Sequence, residues 1–372
     1  MWRTLWREFD WWLFYSAVVL SLFGLVVLVG HEASTTFLSS IAAKQIFFLV
    51  LAILAAWFTS FADYRSWRTP AYTFYMIMIA ILIGVLIFGV TRNGTRGWFD
   101  FGPLQIQPSE FAKIPFIIAL ARFWSKKAVH TIRDVLKSLV FLVPVLVLVL
   151  RQPDLGTALS FATIWVIVVL ALNLPVKQLI GFMMIAVVGA VSSLFLLLQF
   201  VGQDSYQFQR IAVYPDHLFL RSLHHRDSGY QVDQAIIAIG SGQALGSGVG
   251  TGWQARLNYL PVKESDFIFA NIAESMGFLG ASLLILLFAL FLLRTIRVAS
   301  LAQDSFGKIL ATGILGMFFF HTVENIGMNM GLLPVTGVPL SFVSYGGSHL
   351  ITAYIGLGLL ESIIMRHKKI KF

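Results

Sequence analysis

One carboxylate, Asp266, stands where a glycine-rich stretch, GSGQALGSGVGTG at 240–252, gives way within a few residues to a long apolar run starting at Phe267. If that run crosses a bilayer, Asp266 lies at its watery mouth, where a carboxylate can ionise and serve as a general base toward a lipid-borne reactant. The position also suits a helix cap, because Ser265 or Asp266 can accept from the free N–H groups of a first turn and favour its dipole. The residues alone leave both roles open. A second pair, Glu110 and Lys113 in QPSEFAK, sits three residues apart on one helix face within an apolar run. Charges in such runs are costly, so the pair is either a structural salt bridge or part of a working site. Lys44, Arg92, Arg96, Arg151 with Asp154, and Arg210 add charge near the same side of the apolar runs, and Glu324 and Asn325 follow His321 by about a turn.

Other chemistries lack their signatures. The glycine-rich stretch has no GKS or GKT ending and no buried strand before it, so a phosphate loop is excluded in favour of close helix or lipid approach. Ser344 and Ser348 lack a G-x-S-x-G elbow and an ordered Ser, His and Asp set, which excludes serine hydrolysis. No spacing resembles a zinc site, His321 reads as a packed, hydrogen-bonded residue, and the chain has no cysteine.

The elements that must position these groups are membrane spans. Hydrophobic residues make up 58% of the chain and charged ones only 12%, far from the balance of a soluble domain. At about 20 residues per crossing, the sequence predicts an all-α polytopic membrane protein with about ten transmembrane helices. These run over Trp11–Gly30, Lys44–Ser60, Ala71–Val90, the helix from Pro108 to Trp124, Val135–Leu150, Leu155–Leu174, Val176–Val201, Phe267–Leu293, Ile309–Met328 and Leu350–Met365. Trp11–Gly30 has basic residues before it and HEASTTF after it, which predicts a retained anchor. Val135–Leu150 is short, holds Pro144 and could be re-entrant. Between spans seven and eight, residues 202–265 form a large extracellular loop. In it Tyr230, Val232, Ala235, Ile236 and Ile239 predict an amphipathic helix on the membrane surface. The net charge of +9 follows topology rather than nucleic acid: with both termini cytoplasmic, only ten of 27 basic residues fall outside or near the outer face.

Five stretches carry a family resemblance: LNYLPVKESDFIFANIAESMGFLG (257–280), NIGMNMGLLPVTGVPLSFVSYGGS (325–348), NGTRGWFDFGPLQIQPSEFAK (93–113), QPDLGTA (152–158) and YQVDQAIIAIGSG (230–242). Together they resemble the SEDS polymerases, RodA and FtsW, almost end to end and in family order, and RodA more closely. Residues 1–372 then form one SEDS-type transmembrane domain. The resemblance implies a peptidoglycan glycosyltransferase of the bacterial plasma membrane, of the shape-determining type, that polymerises lipid II at the outer leaflet beside a class B penicillin-binding protein.

It implies Asp266, the aspartate of the family's DFIF motif, as the base. Substrate contacts would come from Lys44, Arg96, Glu110, Lys113, Arg151, Asp154, Arg210, Asn325, Ser344, Tyr345, Gly346, Gly347 and Ser348, with Lys113 offering charge to a pyrophosphate that Glu110 holds in place. A divalent cation, Mg2+ or Mn2+, is expected, and its ligands are not readable. Other readings of the same spans are a flippase for the same lipid and a non-catalytic scaffold. The chain departs from the family at Val262, Glu264 and Ser265, where LPERHTDF reads LPVKESDF, at Gly97, and at Ser341, where proline is usual.

Overall fold

The computed structural model describes residues 6–30, 41–92, 95–102, 104–126, 131–172, 174–175, 181, 227–257, 259–260 and 262–367. Its helices are α1 (Trp11–Gly30), α2 (Ile41–Phe61), α3 (Ala71–Phe88), α4 (Pro108–Trp124), α5 (Ile132–Leu150), α6 (Leu155–Leu170), α7 (Asp227–Ser241), α8 (Trp253–Arg256), α9 (Ile268–Leu301), α10 (Ser305–Asn329) and α11 (Gly347–Met365). Six of these, α1, α2, α3, α9, α10 and α11, are long and apolar enough to cross a membrane, and α6 is a shorter apolar helix. The protein is a multi-pass membrane protein. Of the expected span at 176–201 only Gly181 is among the described residues, and Arg210 lies outside them.

Burial separates the bundle into a centre and a rim. The apolar window of α11 is 89% buried and that of α10 is 78% buried, whereas α2 is only 22% buried. The central helices are therefore free to carry polar side chains, since those side chains face protein rather than lipid. α10 is flanked by α4, α6 and α9, while α11 packs along α2. Close approach of that last pair depends on Gly358, where a side chain would run into Thr59 and the Ala56 carbonyl.

Four expectations need correction. First, the fold is not purely helical: TRNGTRGW and its continuation form β1 (Val90–Arg92), β2 (Thr95–Phe101) and β3 (Leu104–Ile106), an antiparallel sheet in that order. Strands this short have no long apolar alternation to announce them. Second, α5 is a 19-residue helix that runs through Pro144, with Thr131 and Asp134 forming a capping box at its start.

Third, α7 does not merely float on the membrane. Val232, Ala235 and Ala238 are buried with Phe267, Ala270 and Val335, and Ile236 is left 39% exposed. Val232, Ala235 and Ile239 of the expected face pack there, whereas Ile236 turns outward. Fourth, the apolar run after Asp266 is not one regular span. α9 extends to Leu301 and is interrupted at Gly277, whose φ of 66° and ψ of −166° are not helical.

The glycine-rich stretch lies against that interruption. A break leaves carbonyls before it and N–H groups after it without helical partners. Here Ser247 donates from N (2.9 Å) to the Glu274 carbonyl and Gly248 from N (3.0 Å) to that of Ser275. In return, Phe278 and Leu279 donate to the carbonyls of Gln243 (2.8 Å) and Ala244 (3.2 Å). A side chain at Gly242 would strike the Ala273 carbonyl, and one at Gly246 the Ser275 carbonyl. Gly246, Gly248 and Gly277 also have positive φ, so glycine serves here both conformation and close approach.

Candidate functional site

Asp266 lies in the turn before α9, half-buried. Its backbone is held from two directions. Asn325 and Asn329 of α10 donate through Nδ2 to the Asp266 carbonyl at 2.9 and 3.0 Å. From the segment before α11, the Ser344 hydroxyl donates to the Ser265 carbonyl at 2.6 Å and Tyr345 N to that of Glu264 at 2.8 Å. The Ser265 hydroxyl donates to Asp266 Oδ1 at 2.8 Å. The N-cap position of α9 is Phe267, which has no side-chain cap. Asn329 Oδ1 accepts from Ala270 N at 3.0 Å, so a side chain from α10 supplies a cap bond in trans. The Asp266 main chain is thus held both by α10 and by the segment before α11.

A second cluster lies within the bundle. Lys113 Nζ donates to Glu110 Oε1 at 2.6 Å and lies 3.0 Å from His321 Nε2. Glu110 Oε2 is 2.9 Å from His349 Nδ1, and His321 Nδ1 is 3.0 Å from the Ser341 hydroxyl. Ser160 Oγ approaches His321 Nε2 at 3.4 Å. Glu110, Lys113, His321 and His349 are all at most 5% exposed. α4 supplies the pair at i and i+3, α10 supplies His321 and the first turn of α11 supplies His349. The sequence anticipated the Glu110–Lys113 bond. It missed His349, and no spacing could tie His321 to Lys113 across 208 residues.

The remaining expected site residues are spread over this side. Asp154 caps α6 by accepting from Thr157 N at 2.9 Å and also accepts from Gln107 Nε2 at 3.0 Å. Asn325 Nδ2 also donates to the Val338 carbonyl at 2.8 Å, and Ser344 Oγ accepts from Leu340 N at 2.8 Å. Ser348 Oγ accepts from Gln107 N at 3.0 Å. Gly347 packs where a side chain would hit the Phe48 ring, and Gly346 N donates to Gln45 Oε1 at 3.3 Å. Tyr345 is half-buried, while Lys44 and Arg151 are exposed. Arg96, also exposed, turns back to the carbonyls of Gly89 (3.1 Å) and Ile87 (3.0 Å) at the end of α3. These are mostly positioning bonds. Glu324 accepts from Thr336 at 2.8 Å.

Among the described residues no group of three or more His, Cys, Asp or Glu side chains could hold a metal ion.

Beside α4 runs an apolar cavity of about 480 Å³, lined by Phe74, Ile77 and Ile81 of α3, Phe111 and Pro115 of α4, and Ile355 of α11. Phe99 and Phe101 of β2 also line it. The sheet and the bundle thus share an apolar slot.

The profile of the FtsW, RodA and SpoVE family, described as cell cycle proteins, matches residues 10–369. The chain belongs to this family. It is 34% identical over 331 residues to the stage V sporulation protein E of Bacillus subtilis (strain 168), covering 87% of this chain and 86% of that one. It is 36% identical over 306 residues to the peptidoglycan glycosyltransferase MrdB of Escherichia coli (strain K12), covering 82% and 80%. Among solved structures, a chain from a peptidoglycan synthase complex described as coordinating polymerization and crosslinking aligns with a TM-score of 0.80 at 29% identity, covering 96% and 98%. The rod shape determining protein RodA of Thermus thermophilus aligns at 0.70 and 27% identity, covering 97% and 98%.

Proposed function

We propose that this family member is a peptidoglycan glycosyltransferase that polymerises lipid II at the outer leaflet, in the shape-determining role. The observation that carries the reading is Asp266: an ionisable side chain at the entrance to α9 whose main chain is held by Asn325, Asn329 and, through its neighbours, Ser344 and Tyr345. In this reaction the Asp266 carboxylate takes the proton from the acceptor sugar's 4-hydroxyl. The acceptor oxygen forms a bond to the donor's anomeric carbon, and the bond from that carbon to the diphosphate oxygen breaks with its electrons, inverting the centre. The leaving diphosphate is already a stable anion, so no general acid is required, unlike in glycoside hydrolysis. The apolar slot beside α4 suits a polyprenyl tail. Mg2+ or Mn2+ would accompany the diphosphate through phosphate oxygens, as such ions commonly do.

In the same reading, both termini are cytoplasmic, about ten spans cross the membrane and a large outer loop joins spans seven and eight. The partner is a class B penicillin-binding protein, which supplies the crosslinking. The role of the matched complex in both polymerization and crosslinking supports that pairing.

The test is purified protein, alone and co-expressed with a class B penicillin-binding protein, supplied with labelled lipid II. Glycan polymer is the expected product. Transbilayer movement without polymer contradicts the reading in favour of a transporter, and neither activity in either preparation contradicts it in favour of a scaffold.

A further inference from the structure

From Gln234 to Ala255 the chain carries no charged side chain, although most of 241–253 is exposed. Single exposed apolar side chains need no explanation, but a contiguous apolar patch marks an interaction surface. Within this uncharged strap Leu245 and Trp253 are 77% and 73% exposed, and Val249, midway between them in sequence, is exposed as well.

What covers the patch follows from what it adjoins. A side chain at Gly250 would strike the carbonyl of Gly30, the last residue of α1, and one at Gly30 would strike Val249. Nearer its start, the strap accepts through the Gln243 and Ala244 carbonyls from the N–H groups of Phe278 and Leu279. Both of those side chains are exposed, as are Val26 and Val29 of α1, and α1 and α9 are apolar and long enough to cross the membrane. The strap therefore bridges two lipid-facing surfaces at the level where α1 ends, and its own apolar side chains continue them. Tryptophan is enriched at that boundary. A segment without charge gains nothing from anionic headgroups and enters the boundary by burying apolar area, so the occupant that fits is the acyl-chain layer of the bilayer.

The same strap holds the helix that carries Asp266. Residues 268–275, the part of α9 before the break at Gly277, are buried along their whole length. Besides the backbone bonds across the break, Ser247 Oγ donates to the Glu274 carbonyl at 3.0 Å, and Gln254 N, next to Trp253, donates to Glu274 Oε1 at 2.7 Å. A shift of Leu245 or Trp253 thus reaches, within one or two residues, the short helix that begins just after Asp266. We propose that residues 241–254 form an interfacial membrane contact, with Leu245 and Trp253 among the acyl chains just beneath one leaflet's headgroups, and that this contact fixes the depth of Asp266 in the bilayer. The benefit rests on the glycosyltransferase reading above: a base acting on lipid-linked substrates has to meet their reacting ends at a constant height.

Because the chain has no cysteine, a single introduced one reports a single place. Leu245→Cys, labelled with bimane in the full-length protein and placed in phosphatidylcholine nanodiscs, is compared with Leu286→Cys on the exposed side of α9 and Ser66→Cys in the exposed turn after α2. Acyl chains bearing a nitroxide should quench at Leu245 and Leu286 but not at Ser66, and aqueous iodide should do the reverse. Iodide quenching at Leu245 like that at Ser66 overturns the proposal. Shielding from both quenchers overturns it as well, since protein, a second copy of this chain, then covers the patch. Hydrogen exchange reads the depth claim: in nanodiscs the amides of 268–275 should exchange at least roughly tenfold faster in the double variant Leu245→Ser with Trp253→Ser than in wild type, with those of α11 unchanged. Equal exchange in the two proteins overturns the coupling even where the lipid contact is found. Neither measurement needs activity, so a chain that passes both and fails to polymerise lipid II loses the glycosyltransferase reading alone.

Discussion

Asp266 and the Glu110–Lys113 cluster lie on the same bundle yet solve opposite problems. The cluster is closed: each charge has a side-chain partner within 3.0 Å, and the groups are almost completely buried. Asp266 is half-buried, and most of what holds it acts on its own carbonyl and those of Ser265 and Glu264, with the Ser265 hydroxyl bonded to its carboxylate. A charge cluster is kept in place by its partners, and removing one leaves an uncompensated ion. The anchors of the Asp266 segment act mainly on its main chain, and the Ser265 hydroxyl adds one bond to the carboxylate. The two regions should therefore respond in opposite ways to substitution, one losing stability and the other losing rate.

The largest stability loss is expected from Lys113→Met. It strands Glu110 among buried groups, and breaking such a pair typically costs roughly 3–5 kcal/mol. Thermal unfolding in detergent measures it, and adding Glu110→Gln to the same variant should recover part of the loss. If Lys113→Met unfolds like wild type, the cluster is not the closed ion pair described.

Next is the spliced break. Gly277→Ala forces a non-glycine residue to a φ of 66° and pushes it toward Ala244 and Gly246, for a cost on the order of 1–3 kcal/mol. Gly246→Ala should behave similarly, because it meets the same junction from the other side. Limited proteolysis around 240–252 and thermal unfolding together check this; unchanged values would mean that the two segments do not depend on each other.

A smaller effect is expected at Asn329→Ala, which removes a cap bond to Ala270 and one anchor of Asp266. Stability should fall by about 1 kcal/mol, while polymerisation falls by more than that loss of folded protein explains. The smallest is Lys44→Gln or Arg151→Gln, at exposed positions, expected within about 0.5 kcal/mol of wild type. A fall in polymerisation without a fall in stability would assign that cation to substrate.

What the sequence made legible follows from periodicity and local spacing. The apolar runs located α1, α2, α3, α10 and α11, because about 20 apolar residues are needed whatever the packing. The three-residue spacing of Glu110 and Lys113 announced a bond within one helix. The pairing of His349 with Glu110 joins positions 239 residues apart, and no periodicity encodes it. The same holds for Asn329, whose caps and anchors lie on another helix. Gly277 reads in sequence like any other glycine within an apolar run, and only the stretch from Gln243 to Gly248 lying against it reveals a break with satisfied ends. The strands of the sheet escaped notice because β1 and β3 are three residues each.

The central claim is that Asp266 is the base, and Asp266→Asn tests it most directly. The substitution keeps the size and leaves every main-chain anchor in place while removing the carboxylate. With the variant purified alongside wild type and matched for thermal stability, the rate of lipid II polymerisation should fall by at least roughly 10²- to 10⁴-fold, the usual worth of general-base help. A stable Asp266→Asn protein that polymerises lipid II at a rate near wild type would contradict the account.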